Sequence, residues 1–185
     1  MKVLIIDNYD SFVYNIKQAV EALGHSVEMK ENDRVKGIDV NEADAIIISP
    51  GPGNPKYTRD RGSTTEVLEL GSKRVLGICF GHQLLATMLG CNVRRAESIK
   101  HGEIDTIRHF SSPLYRDVPE EFSAVRYHSL VIDPSASIIV DSIAKSDNSI
   151  MGFHTADNKT FGIQFHPESH FTEYGDRIIR NFLVG

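Results

Sequence analysis

The chain has 185 residues, 41% hydrophobic and 24% charged, with a formal net charge of −5. That length suits one domain, residues 1–185, and that composition excludes disorder. The acidic balance removes a whole-surface electrostatic case for nucleic acid or an acidic membrane. Two cysteines, Cys79 and Cys91, cannot build a disulfide framework, so a reduced, cytoplasmic compartment is expected.

No apolar run approaches the ~18–20 residues that a membrane span requires. The stretch Val3–Ile6 is also too short for a signal peptide and reads as a buried first strand. Phe12, Val13, Ile16, Ala19, Val20 and Leu23 then recur at helical spacing, with Asp10 or Ser11 as the cap and Gly24 as the stop. Ser26–Lys30 alternates as a half-buried strand. Ala45–Ser49 is the next apolar strand and ends at Pro50-Gly51-Pro52-Gly53, a loop. A weaker helix is expected over Ser63–Leu70, a strand over Val75–Cys79 and a helix over His82–Leu89, stopped by Gly90.

After Gly90 come shorter strand-like runs: Ile104–Arg108, Ser123–Tyr127, Ile138–Ala144, Ile150–His154 and Thr160–Phe165. A closing helix over Glu173–Val184 buries Ile178, Ile179, Phe182 and Leu183. The pattern predicts an α/β fold: an open, mostly parallel sheet flanked by helices, with an additional antiparallel edge. In such sheets ligands sit at the carboxyl ends of the strands.

Gly77-Ile78-Cys79-Phe80-Gly81 fits a nucleophile elbow with cysteine in place of serine, set between a strand and a helix. The turn would expose the sulfur at a helix N-terminus, whose dipole favours a thiolate. The Phe80 N–H is a natural oxyanion donor there. Without that setting, a cysteine is more often a buried core residue, and Cys91 is read that way.

A thiol nucleophile needs a base, and the base needs an orienter. Among the eight histidines, His166-Pro167-Glu168 follows a strand. Pro167 keeps its predecessor extended, and residues i and i+2 of an extended chain point the same way. One ring nitrogen of His166 can face Cys79 while the other meets Glu168, although a surface turn would carry the same three residues. His82 is expected to point elsewhere or to support the loop. Gly51 and Gly53 offer unobstructed N–H groups for an oxyanion or a carboxylate; a stiff turn is the plainer reading. No phosphate-loop fingerprint is present, and although His166 and His170 are four apart, Pro167 argues against the helix that would aim both at a metal.

Three motifs in order, Ser49-Pro50-Gly51-Pro52-Gly53, Gly77-Ile78-Cys79-Phe80-Gly81-His82-Gln83 and Gln164-Phe165-His166-Pro167-Glu168-Ser169, resemble the class I (triad-type) glutamine amidotransferases. They span nearly the whole chain. Ile6–Phe12, His101-Gly102, Arg126–Leu130 and Ile150-Met151-Gly152 resemble its chorismate-using branch, the glutaminases of anthranilate synthase and aminodeoxychorismate synthase. The glutaminase of GMP synthetase shares the triad but usually lacks the Tyr-His-Ser-Leu segment.

The resemblance implies Cys79 as nucleophile, His166 as base and Glu168 as orienter. It implies oxyanion donors at Gly53 and Phe80, and glutamine held by Gly51, Pro52, Gly53, Gln83, Ser129 and Leu130. It further implies that ammonia passes to a larger chorismate-binding synthase subunit, anthranilate synthase component I in one branch. That subunit would carry Mg²⁺, leaving this chain without a cofactor. Two departures stand out. Glu103 occupies a position usually held by Lys, and Lys56–Gly62 is more charged than usual. The rival readings are a cysteine peptidase and a catalytically silent regulatory subunit.

Overall fold

The computed structural model describes all residues, Met1–Gly185. In chain order the elements are β1 (Lys2–Asp7), α1 (Val13–Ala22), β2 (Ser26–Glu31), α2 (Gly37–Glu42), β3 (Ala45–Ile48), α3 (Thr58–Arg61) and α4 (Thr64–Val67). There follow β4 (Arg74–Ile78), α5 (Phe80–Met88), β5 (Asn92–His109), β6 (Glu121–Asp133), β7 (Ile139–Ala144), β8 (Ile150–His154), β9 (Thr160–Ile163) and α6 (Gly175–Val184). One nine-stranded sheet runs β2-β1-β3-β4-β9-β8-β7-β5-β6. Its first five strands are parallel. The remaining four join antiparallel.

The parallel strands are covered on both faces, which is why they read as unbroken apolar runs. Along β1, Val3 and Ile5 enter a core under α1 and α6 with Ile16, Val20, Ile178 and Phe182. Leu4 and Ile6 enter the opposite core, with Phe80, Leu84 and Leu85 of α5. This double burial fixes the register of the central strands, because a one-residue slip would exchange the two cores.

Several sequence expectations need correction. Helix α1 begins at Val13 with no side-chain cap. Asp10 instead accepts the Phe12 N–H at 2.8 Å, one residue ahead of the helix. The helix expected over Ser63–Leu70 is shortened to the single turn α4, Thr64–Val67, and an unforeseen short helix, α3, precedes it across Gly62. Gly62 has φ +56°, and a Cβ there would strike the Asn32 carbonyl, so the chain must break at this point. Helix α2, whose buried residue is Val40, carries too little apolar pattern to be foreseen.

Strands β5 and β6 extend well beyond the short runs expected. They form a hairpin with register shifts between Arg95 and Lys100 and between His101 and Glu103. The far edge of β6 is closed by the loop after β9. His166 N–H donates to the Val125 carbonyl (3.2 Å), and Glu173 N–H donates to the Ser123 carbonyl (2.9 Å). Val125 N–H donates to Thr172 Oγ1 (3.1 Å), and Ser123 N–H to Glu173 Oε2 (2.7 Å). No helix is long and apolar enough to cross a membrane.

Candidate active site

Cys79 sits between the end of β4 and the first residue of α5, with φ +52° and ψ −100°. Such a backbone is strained for a residue with a Cβ, and it turns the side chain out of the sheet. Two glycines allow it. A Cβ on Gly77 would strike the Gly81 backbone, and one on Gly81 would strike the Ile48 carbonyl. The helix starts two residues earlier than the sequence suggested, so Cys79 is its N-cap residue. The first helical amides, from Phe80 on, have no intrahelical acceptor and favour negative charge at that point. The Cys79 thiol donates to the Tyr127 carbonyl at 3.6 Å, and Gln164 Nε2 donates to Sγ at 3.5 Å.

His166 and Glu168 follow β9, at the same end of the sheet. Nδ1 of His166 lies 2.6 Å from Glu168 Oε1, and both side chains are almost fully buried. The ring stands edge-on to Tyr127, with centroids 5.3 Å apart, and to Phe12, at 6.4 Å. Its Nε2 makes no hydrogen bond of ordinary geometry. Burial works against a charged ring. The neighbouring Cys79 sulfur and the Glu168 carboxylate outweigh that penalty and raise the His166 pKa well above its usual value.

Gly51, Pro52, Gly53, Gln83, Ser129 and Leu130, together with Cys79 and Phe80, line one cleft of about 200 Å³. Drug-sized ligands fill pockets of roughly 300–1,000 Å³. This cleft therefore suits something nearer a single amino acid. His166 and Glu168 line an adjoining cavity with Phe12 and Phe171, and Tyr127 borders both. The chain thus brings every residue to which the resemblance gives a catalytic or glutamine-holding role to one end of the sheet.

Other residues were not singled out. Gln164 is fully buried and bridges Gln83 and Cys79, accepting from Gln83 Nε2 at 3.0 Å. Asn8 braces the Pro50–Gly53 loop by donating from Nδ2 to the Ser49 carbonyl at 2.8 Å. Asp60 braces it from the other side, accepting the Asn54 N–H at 2.8 Å. Gly53 has φ +97°, and a Cβ there would sit 2.5 Å from the Asp60 carboxylate. Gln164 stands two residues before His166 in the third motif, Asn8 in Ile6–Phe12 and Asp60 in Lys56–Gly62, but no pattern in those stretches marks the contacts. His82 supports the loop from below: its ring packs on Phe153, and burial pushes its pKa down to about 3. Cys91 is buried against Ser135, away from the cleft.

Residues 4–185 match the family described as glutamine amidotransferase class-I. The chain belongs to that family. The chain is 45% identical to anthranilate synthase component 2 of Saccharolobus solfataricus, over 97% of this chain and 96% of that protein. It is 41% identical to anthranilate synthase component 2 of Pyropia yezoensis, over 98% of each chain. Among solved structures, a candidate GMP synthase component from Thermoplasma acidophilum superposes with a TM-score of 0.90, covering 99% of this chain and 92% of that one. At 23% identity, that likeness carries the fold alone.

As a class I glutamine amidotransferase, the chain is an enzyme whose two sequence departures now have positions. Glu103 pairs with Lys100 at 2.9 Å across a bulge of β5, outside the cleft. Lys56–Gly62 holds α3, and with it Asp60, the loop brace.

Proposed function

We propose that the chain is the glutaminase subunit of a chorismate-using synthase, with anthranilate as the product of the complex. The observation that carries this reading is the meeting of Cys79, the His166–Glu168 pair and a cleft of single-amino-acid size. It stands in a chain matched over nearly its full length by proteins named anthranilate synthase component 2. A GMP synthase role draws only on the 23% structural likeness.

In this reading the Cys79 thiolate attacks the side-chain amide carbon of glutamine. The developing oxyanion is met by the Gly53 and Phe80 N–H groups; losing one such donor typically costs roughly 3–4 kcal/mol. Protonated His166 delivers its proton to the leaving nitrogen, the C–N bond breaks, and ammonia departs. Neutral His166 then takes a proton from water, whose oxygen attacks the thioester carbon, releasing glutamate and restoring the thiolate. Glu168 holds the ring and offsets its positive charge. Gln83, Ser129 and Leu130 hold the rest of the substrate. The chain itself needs no cofactor for these steps; Mg²⁺ belongs to chorismate chemistry on the larger subunit, which receives the ammonia.

The test pairs the purified chain with a chorismate-binding synthase subunit, supplies chorismate and Mg²⁺, and follows anthranilate fluorescence. Anthranilate should require this chain with glutamine but not with ammonia. The Cys79→Ser chain should lose the first and keep the second. Glutamate release without anthranilate would transfer the reading to aminodeoxychorismate synthesis. Absence of glutamate from every mixture would overturn the catalytic role.

A further inference from the structure

One buried charge has no part in that reaction. Arg126, on β6, is 0% exposed. Its two terminal nitrogens serve Asp105, Ser146 and Asp147. Its Nε donates to His128 Nε2 at 3.1 Å. A guanidinium can only donate, so His128 Nε2 accepts and the ring proton resides on Nδ1. Nδ1 lies 3.0 Å from the Leu130 carbonyl, which can only accept. Two partners on opposite sides of the ring therefore demand the same tautomer. Burial and the nearby Arg126 charge push the His128 pKa down to about 4, so the ring is neutral.

The Leu130 carbonyl also receives Gln83 Nε2, at 3.4 Å. The same nitrogen donates to Gln164 Oε1 at 3.0 Å. The two amide hydrogens of Gln83 are thus committed within the wall of the cleft. Its Oε1, an acceptor, is the polar atom left for a ligand.

We propose that Arg126 is a positioning residue for substrate. By imposing the Nδ1–H tautomer on His128 it holds the Leu130 carbonyl and turns the Gln83 amide so that Oε1 faces the ligand. The group read there is a hydrogen-bond donor, such as the ammonium of an amino acid. A ligand offering only acceptors is refused at that point. This rests on the glutaminase reading and adds to it the selection of donor polarity by a residue outside the cleft.

The test titrates L-glutamine calorimetrically into the Cys79→Ser chain, alone and with Arg126→Lys, His128→Gln or His128→Asn added. Lysine keeps a charge between Asp105 and Asp147 but has no Nε–H to give His128. Glutamine at 128 reaches toward Arg126 but cannot replace Nδ1–H. Asparagine places an N–H near Nδ1 and has no tautomer to fix. Arg126→Lys and His128→Gln should each weaken binding roughly five- to tenfold, and His128→Asn by less than about twofold. A purely structural role for the cluster would not separate asparagine from glutamine at 128, so equal losses there overturn the proposal. Unchanged binding by Arg126→Lys overturns it too. Should that variant fail to fold, seen as a lost thermal transition, the two His128 variants decide alone. If the Cys79→Ser parent binds no glutamine, the glutaminase reading itself fails and the relay falls with it.

Discussion

His166 Nδ1 and Glu168 Oε1 lie 2.6 Å apart, although only Pro167 separates the two residues in the chain. The extended chain expected here is instead a turn: the Ser169 N–H donates to the His166 carbonyl at 3.2 Å, and Pro167, whose fixed φ suits the second position of such a turn, folds Glu168 back onto the ring. The orienter of the base is therefore built locally, while the nucleophile it serves arrives from a strand 87 positions earlier in sequence, at Cys79.

That arrangement ranks two variants. His166→Ala removes the proton carrier and should lower the rate of glutamate release about 10⁴-fold; Glu168→Gln leaves the ring in place and should lower it less, by about 10²–10³-fold. Steady-state glutamate release at saturating glutamine measures both. Equal losses would mean that Glu168 does more than hold the ring.

Asp60 gives a second prediction. Its carboxylate accepts the Asn54 N–H and abuts Gly53. Asp60→Ala should free that loop and misplace the Gly53 N–H. The maximal rate of glutamate release should fall about tenfold, a fraction of what outright loss of an oxyanion donor costs. Labelling of Cys79 by iodoacetamide, which needs no oxyanion hole, should proceed at the parent rate.

The elbow glycines are testable by stability. Gly81→Ala would drive a Cβ into the Ile48 carbonyl, a backbone atom that cannot step aside. Urea unfolding should show a loss of about 3 kcal/mol or more. Gly90 has φ +80° but open space around it, so Gly90→Ala should cost only about 1–2 kcal/mol, from the backbone alone. Similar midpoints for the two variants would contradict the steric account.

His82 makes acid destabilisation specific. Its pKa is depressed from 6.5 to about 3 by burial. Between those values the unfolded chain binds a proton at this site and the native chain does not. Its contribution is present above pH 6.5 and is lost as pH falls toward 3. In that window it adds a slope of ~1.4 kcal/mol per pH unit. His82→Gln should remove that increment from a plot of urea stability against pH. An unchanged slope would mean that the ring is protonated in the native state.

Much of this site is legible in the sequence because its parts are local. A strand, a pair of glycines around a cysteine and a following helix announce the elbow from Gly77 to Gln83. Val3–Ile6 and Ala45–Ile48 announce buried strands because both of their faces are covered. What stays hidden depends on distant partners. Gln164 is visible as a letter of the third motif, but its contacts are Gln83 and Cys79, more than 80 residues away. Arg126, Asp105 and Asp147 read as ordinary solvated charges, and only folding buries the arginine among the carboxylates. The reach of β5 and β6 is missed for a related reason. Residues such as Arg94, Arg95 and Arg108 pair in a half-exposed hairpin that needs no apolar alternation.

The closure of the β6 edge ties nucleophile, base and cleft wall to one piece of backbone. Strand β6 supplies the carbonyl that meets the Cys79 thiol, and it carries Ser129 and Leu130. Along its outer side it is stitched to the His166–Glu173 loop. It works as a shared beam. A load applied from outside to Phe171 or Tyr174, both largely exposed, is delivered to both ends of the reaction together. A shift of that loop would move the base and the cleft wall together, because both hang on one strand.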